Sequence, residues 1–232
     1  MAAPPGIQSM PPALRNMLDD SALRIALATS LRPDSVAIDI GAYAGGVLRD
    51  ILRIAPEGHH VAFEPLPAMA SALRRSFPGT DVREVALSDR AGTSTFVHVV
   101  RDPAYSGLLE RSYPPGTGDV LDRITVTLAT LDSEIGDLEP DFIKIDAEGA
   151  ELQVLRGAVE TLARFQPTIW FEHGRGAADH YGTTPAEVWD LLAGVGLKRI
   201  YDANGIGPLS RDSFVESFER NRVWNYLARG PR

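Results

Sequence analysis

The sequence predicts an α/β protein: a mostly parallel sheet with helices on both faces. Three observations lead there. Short β-branched apolar runs alternate with segments of helical period from residue 35 onward. The chain has 232 residues, 44% of them hydrophobic and 23% charged, which is enough for one sizeable core. The last two strand candidates have no clear helix between them, so they should pair antiparallel.

Taken in order, residues 1–12 are rich in Pro and Ala and read as loose chain. Residues 12–31 have apolar positions near helical spacing and read as one or two helices. "SVAIDI", 35–40, is a buried strand, and "GVLRDILRI", 46–54, returns to helical period. A strand over 59–65, a helix over 68–77 and a third strand over 82–88 follow. Residues 92–100 alternate and read as an edge strand; 123–131 alternate again. Between them, 101–122 is a loop rich in Pro, Gly, Ser and Asp, of a length that is usually functional or disordered. "PDFIKIDAEG", 140–149, is a strand ending in acids, and 150–165 is an amphipathic helix. "TIWFEHG", 168–174, is a strand ending in Glu172 and His173. A helix over 184–196 carries Thr184 as its cap and Pro185 in its first turn. Residues 198–205 and 221–230 are the closing strands.

Composition excludes several functions. Net charge is −8, which argues against nucleic acid and anionic membrane surfaces as partners. There is no cysteine, so disulfides, thiolate zinc sites and cysteine nucleophiles are ruled out. The start "MAAPPGIQSMPP" lacks the basic and apolar regions of a signal peptide, and no apolar run is long enough to span a bilayer. A cytoplasmic protein is expected.

The stretch "VAIDIGAYAGG", 36–46, is the first candidate site. In a doubly wound sheet, ligands bind at the carboxyl ends of the strands. Gly41 and Gly45 permit a tight turn and close approach of a ligand. A dinucleotide fingerprint would read G-x-G-x-x-G; here the turn is G-A-Y-A-G-G with Asp39 before it. An acid there repels phosphate and suits a cationic ligand. The second strand ends in Glu64, and an acid at that point commonly accepts both ribose hydroxyls of a nucleoside. Together these features fit S-adenosylmethionine, which carries a sulfonium, an amino acid and an adenosine but no phosphate.

The segments "VAIDIGAYAGG", "HVAFEPLP", "EVALSDRAGTSTF", "ITVTLATLD", "DFIKIDAEGAELQVLRGA" and "PTIWFEHG" together resemble the FkbM family of S-adenosylmethionine-dependent methyltransferases. The resemblance runs from about residue 35 to 174, and "FIKIDAEGAELQVLRGA" is its most specific element. It implies a Rossmann-like class I methyltransferase, with a seven-stranded, mostly parallel sheet and an antiparallel last strand. The methyltransferase domain would cover 35–232, and 1–34 would be an N-terminal helical extension. The implied activity is O-methylation of a sugar, glycoside or related metabolite. The implied site puts Asp39, Gly41 and Tyr43 around the methionine portion and ribose, Glu64 on the ribose hydroxyls, and Ala86, Leu87 and Ser88 around the adenine. Asp146 would lie at the methionine end.

Removing an alcohol proton needs a base or a metal. Asp146 and Glu148 end one strand; Glu172 and His173 end another. One reading makes Asp146, Glu172 and His173 ligands of Mg²⁺ or Mn²⁺. A second makes His173 a general base tuned by Glu172. A third gives Glu172 and His173 only a loop-capping role. Lys144, a charge in an apolar strand, requires a partner. In the long loop, Tyr105 and Ser106 are candidate cofactor contacts, and His180 and Tyr181 could line an acceptor pocket. The N-terminal helices would cover the acceptor pocket or build a homodimer contact. The expected acceptor is a small molecule or oligosaccharide. The rival functions are N- or C-methylation of a small metabolite, and a non-catalytic cofactor-binding scaffold on the same fold.

Overall fold

The computed structural model describes residues 12–231. Seven strands form one sheet: β1 (Ala37–Ile40), β2 (Val61–Phe63), β3 (Asp81–Arg83), β7 (Phe142–Ile145), β8 (Thr168–Glu172), β9 (Arg199–Asp202) and β10 (Asn225–Arg229). Their order is β3-β2-β1-β7-β8-β10-β9. β1 pairs in parallel with both β2 and β7, so strand order reverses beside β1. β10 is antiparallel to both β8 and β9, as the closing segments predicted. A second, three-stranded sheet contains β4 (Ala86–Leu87), β5 (Gly92–Val99) and β6 (Leu121–Ala129) in the order β4-β6-β5.

The central strands are apolar because both faces are covered. β1, β7 and most of β8 are buried throughout. The main core joins Ile38, Val61, Ile143, Ile145 and Phe171 to Leu152, Leu155 and Leu162 of α5 (Glu151–Arg156) and α6 (Val159–Phe165). On the other face, α1 (Pro12–Ser30) and α2 (Gly46–Ile54) set Leu23, Leu27, Leu31 and Ile51 against Phe142, Trp170 and Leu227. Full burial of one such aliphatic side chain is worth about 1.5–3 kcal/mol. α3 (Pro67–Ser76) packs Ala70 and Leu73 against α2 and β2 through Leu48 and Ala62.

Several expectations change in detail. The loose segment over 1–12 lies, except for Pro12, outside the described residues. Residues 12–31 form one helix, not two. The strand over 82–88 divides: β3 stays in the large sheet, while β4 pairs with β6 of the second sheet. The helix over 150–165 breaks at Gly157, where a Cβ would lie 2.0 Å from the Ser88 carbonyl oxygen. α4 (Leu131–Ile135), capped by Thr130, follows the β6 strand. α7 (Pro185–Gly194) starts with a capping box between Thr184 and Glu187. Between the closing strands lies α8 (Arg211–Glu219), capped by Ser210 and buried through Phe214 and Phe218. The sequence reading placed no helix there.

Candidate active site

A cavity of about 840 Å³ opens at the carboxyl ends of β1, β2, β7 and β8. α1 supplies one wall through Asn16, Asp19, Asp20 and Leu23, and the loop after β5 supplies another through residues 102–106 and 111–112. Its volume lies in the upper range of small-molecule and cofactor sites.

The turn after β1 forms its floor. Gly41 has φ +74°, and a Cβ there would lie 1.9 Å from the backbone oxygen of Asp146. Only glycine lets β1 and β7 end this close together. Tyr43 also adopts a left-handed conformation, φ 46°, an uncommon one for a side-chain-bearing residue. Glu64 is buried and fixed on both oxygens: Tyr43 N–H donates to Oε2 at 2.8 Å and Leu66 N–H to Oε1 at 2.9 Å. Burial raises its carboxyl above the usual value, against the pull of those two donors.

Lys144 stands between two acids. Its Nζ lies 3.4 Å from Asp39 Oδ1 and 3.4 Å from Asp146 Oδ2. It also donates to the carbonyls of Ile40 at 3.2 Å and Gly41 at 2.7 Å. Burial alone would lower its pKa, but the two acids reverse that and raise it, so the cation persists at neutral pH. Asp39 is fully buried, and desolvation raises its pKa.

At the ends of β7 and β8 the carboxyls crowd together. Glu172 and Asp146 both line the cavity here. The pKa of Glu172 is raised well above the ordinary value, first by burial and then by the charges of Asp146, Glu148 and Glu151. Glu148, at φ 53°, is pushed up to about 8 by burial and by Asp146, against the pull of Arg111. Arg111, reaching in from the long loop, pairs with Glu148 and stacks over Tyr105 with its Cζ 5.3 Å from the ring centroid. Glu151 is pushed up to about 7 by burial and accepts the N–H groups of Ala147 and Gly149.

Gly41, Tyr43, Glu64, Ala86, Leu87, Ser106, Asp146 and Glu172 therefore all line one cavity. Asp39, Gly45, Ser88 and His173 do not. Asp39 sits beneath Lys144. A Cβ at Gly45 would meet Phe77 and Leu73, so this glycine serves the packing of α2 on α3. Ser88 lies against Gly157, its N–H donating to Ala129 O.

The placement of His173 requires a correction. Consecutive strand residues point to opposite faces. Glu172 faces the cavity, so His173 points away from it, into the core. His173 is 1% exposed and stacks on Phe218 at 4.7 Å and Phe214 at 6.1 Å between ring centroids, with no partner on either ring nitrogen. Burial pushes its pKa down to about 4. It is a core aromatic, neither a base at the cavity nor a third ligand beside Asp146 and Glu172. The Mg²⁺ or Mn²⁺ site expected at these three residues is not assembled, and among the described residues no other group of three His, Cys, Asp or Glu could hold a metal ion.

Four further contributors escaped the sequence reading. Trp170, Trp224 and Asn225 line the cavity beside α1. Trp170 Nε1–H donates to Asn225 Oδ1 at 3.1 Å, and Asn225 Nδ2–H donates to Asp19 at 3.1 Å, tying α1 to β8 and β10. Arg111 had no local signal beyond the length of its loop. Tyr181 anchors that loop by accepting Leu109 N–H at 3.1 Å, and neither it nor His180 lines the cavity.

An open sheet in this order, with its antiparallel β10, a glycine turn closing β1 and an acid just past β2, is the fold of the class I methyltransferases. Within that class the chain belongs to the FkbM methyltransferase family: the methyltransferase FkbM domain matches residues 39–199. The chain is 31% identical over 153 residues to the 2-O-methyltransferase NoeI of Sinorhizobium fredii, covering 57% of this chain and 61% of that protein. It is 30% identical over 164 residues to the AMB antimetabolite synthetase AmbE of Pseudomonas aeruginosa, covering 55% of this chain and 8% of that one. The match thus spans less than two thirds of either relative. The crystal structure of a methyltransferase FkbM from Methylobacillus flagellatus superposes with a TM-score of 0.53 at 14% identity, over 85% of this chain and 44% of that one, and shares the fold. No helix among the described residues is long and apolar enough to cross a membrane.

Proposed function

We propose that the chain is an S-adenosylmethionine-dependent O-methyltransferase acting on a hydroxyl of a sugar, glycoside or related metabolite. The observation that carries this reading is one cavity joining Gly41 and Glu64 to the two acids Asp146 and Glu172. The 2-O-methyltransferase named among the relatives supports oxygen as the acceptor atom.

The residues present fit the cofactor. The turn after β1 brings Gly41 and Tyr43 to the cavity floor beside Glu64, and Asp146 Oδ1 is buried without a partner. Gly41 and Tyr43 would hold the methionine portion and ribose, Glu64 the ribose hydroxyls, and Ala86 and Leu87 the adenine. Ser106 would close over it from the loop, its own Oγ accepting Val99 N–H at 3.0 Å. Asp146 would hold the ammonium. When bound, the cofactor supplies an electrophilic methyl group on a sulfonium.

The protein's task is to align an acceptor oxygen at about 3–3.5 Å and take up its proton. Glu172 is placed for that. It faces the cavity, and burial with the neighbouring acids raises its pKa, which makes its carboxylate form a stronger proton acceptor. Trp170, Trp224, Asn225 and Asp19 offer the aromatic faces and planar hydrogen-bonding groups that suit a polyhydroxylated acceptor. α1, part of the extension 1–34, would then cover the acceptor end.

The test is transfer of labelled methyl from S-adenosylmethionine to a panel of sugars, glycosides and matched amines. Transfer to hydroxyls supports the reading. Transfer to amines alone, or cofactor binding with no transfer to any carbohydrate, would overturn its oxygen or sugar component respectively.

A further inference from the structure

We infer that Arg111 recognises the carboxylate at the amino-acid end of the cofactor. The inference rests on the cofactor reading above and deepens it. That end of the ligand is a zwitterion. Asp146 would supply the anion for its ammonium, and a cation beside it would suit its carboxylate.

Among the described residues, three cations line the cavity: Lys144, Arg175 and Arg111. Lys144 is fully committed. Its three N–H groups face four oxygens, from Asp39, Asp146, Ile40 and Gly41. Arg175 is exposed, and its Nη1–H donates to Glu219 O at 3.2 Å. Arg111 differs from both. Its side chain is only 11% exposed; Nη2 meets Glu148, while Nε is buried with no partner. A guanidinium with an unused buried N–H is built for a second oxygen anion, and a carboxylate fits that fork.

The loop holds Arg111 at the correct strand end. Gly107 is paired with Val97 and abuts Glu148 and Tyr181; a Cβ there would lie 3.5 Å from Glu148 Cβ and 3.5 Å from Tyr181 Oη. Leu109 N–H is held by Tyr181. The Tyr105 ring lies beneath the guanidinium. Glu148 is two residues past Asp146, so the guanidinium lies beside the group that would hold the ammonium. A loop residue, and not one on the sheet, would complete the cofactor site.

The experiment is calorimetric binding of S-adenosylhomocysteine and of its decarboxylated analogue to the wild type, Arg111→Met and Arg111→Lys. The wild type should bind the carboxylate-bearing ligand more tightly. Arg111→Met should weaken that ligand about 10- to 100-fold, the range of a charge-assisted contact, and leave the decarboxylated one unchanged. Arg111→Lys should recover part of the loss, since it restores charge without the fork. Unchanged binding of the decarboxylated ligand also shows that the variant is folded. Equal weakening of both ligands, or of neither, would overturn the assignment. If the wild type binds neither ligand, the cofactor reading itself fails, and the inference with it.

Discussion

Lys144→Met should be the most damaging single substitution beneath the site. Lys144 is 6% exposed and Asp39 0%, so the ion pair is shielded from water. Replacing the ammonium by a thioether keeps the volume but leaves the Asp39 carboxylate buried without a counter-charge, and it removes the donor from the carbonyls of Ile40 and Gly41. Breaking one side of a buried pair costs about 3–5 kcal/mol. At roughly 2–4 °C per kcal/mol for a domain of this size, the melting temperature should fall by about 6–20 °C. The loss should also depend on pH. Burial already raises Asp39 above its unfolded value, and losing the lysine raises it further. A carboxyl raised in the folded state favours folding while it is protonated, below about pH 4, and that contribution is lost as pH rises through the raised value. The deficit of the variant should therefore widen from acid to neutral pH. Thermal and urea denaturation across that range would show it, and adding Asp39→Asn should recover much of the loss. A drop of less than about 2 °C, or a deficit independent of pH, would refute the argument.

Other outcomes follow from the same geometry. His173→Phe should retain cofactor binding and transfer, because His173 acts as a core aromatic. It should also be less sensitive to acid: His173 has its pKa lowered to about 4, so wild-type stability falls between about pH 6.5 and 4, by up to about 3 kcal/mol. Acid-denaturation curves that coincide for the two proteins would contradict this. Glu172→Gln should cut methyl transfer by about 10²–10⁴-fold with S-adenosylhomocysteine affinity intact, as measured by initial rates and calorimetry. Gly41→Ala should cost more than about 1 kcal/mol in denaturant, since its φ of +74° and the 1.9 Å approach to Asp146 O leave no room for a Cβ.

Much of this architecture can be read from residue order. The alternation of β-branched runs with helical periods gave the parallel core of the sheet. Gly41 and Glu64, just past the ends of two strands, do mark the cavity edge, whereas Asp39, read as part of the same site, is buried beneath Lys144. Lys144 required a partner and has two. What failed did so for physical reasons. Glu172 and His173 were read as one pair, although the two-residue period of a strand sends neighbours to opposite faces. The break at Gly157 depends on its contact with Ser88, just past the distant strand β4. α8 carried local signals, Ser210 as a cap and Phe214 and Phe218 four apart, but in a short segment between two strands. Arg111 could not be found from its neighbours. Its position is set by Val97, Glu148 and Tyr181, all far from it in sequence.

The central claim is that the cavity floored by Gly41 and Glu64 holds S-adenosylmethionine. Calorimetric titration of S-adenosylhomocysteine into the wild type and into Glu64→Ala tests it most directly. The account predicts saturable binding of one ligand per chain to the wild type. In the variant, which loses the acceptor of Tyr43 N–H and Leu66 N–H along with the ribose partner, affinity should fall at least about tenfold. No binding to the wild type, or equal affinity in the two proteins, would contradict it.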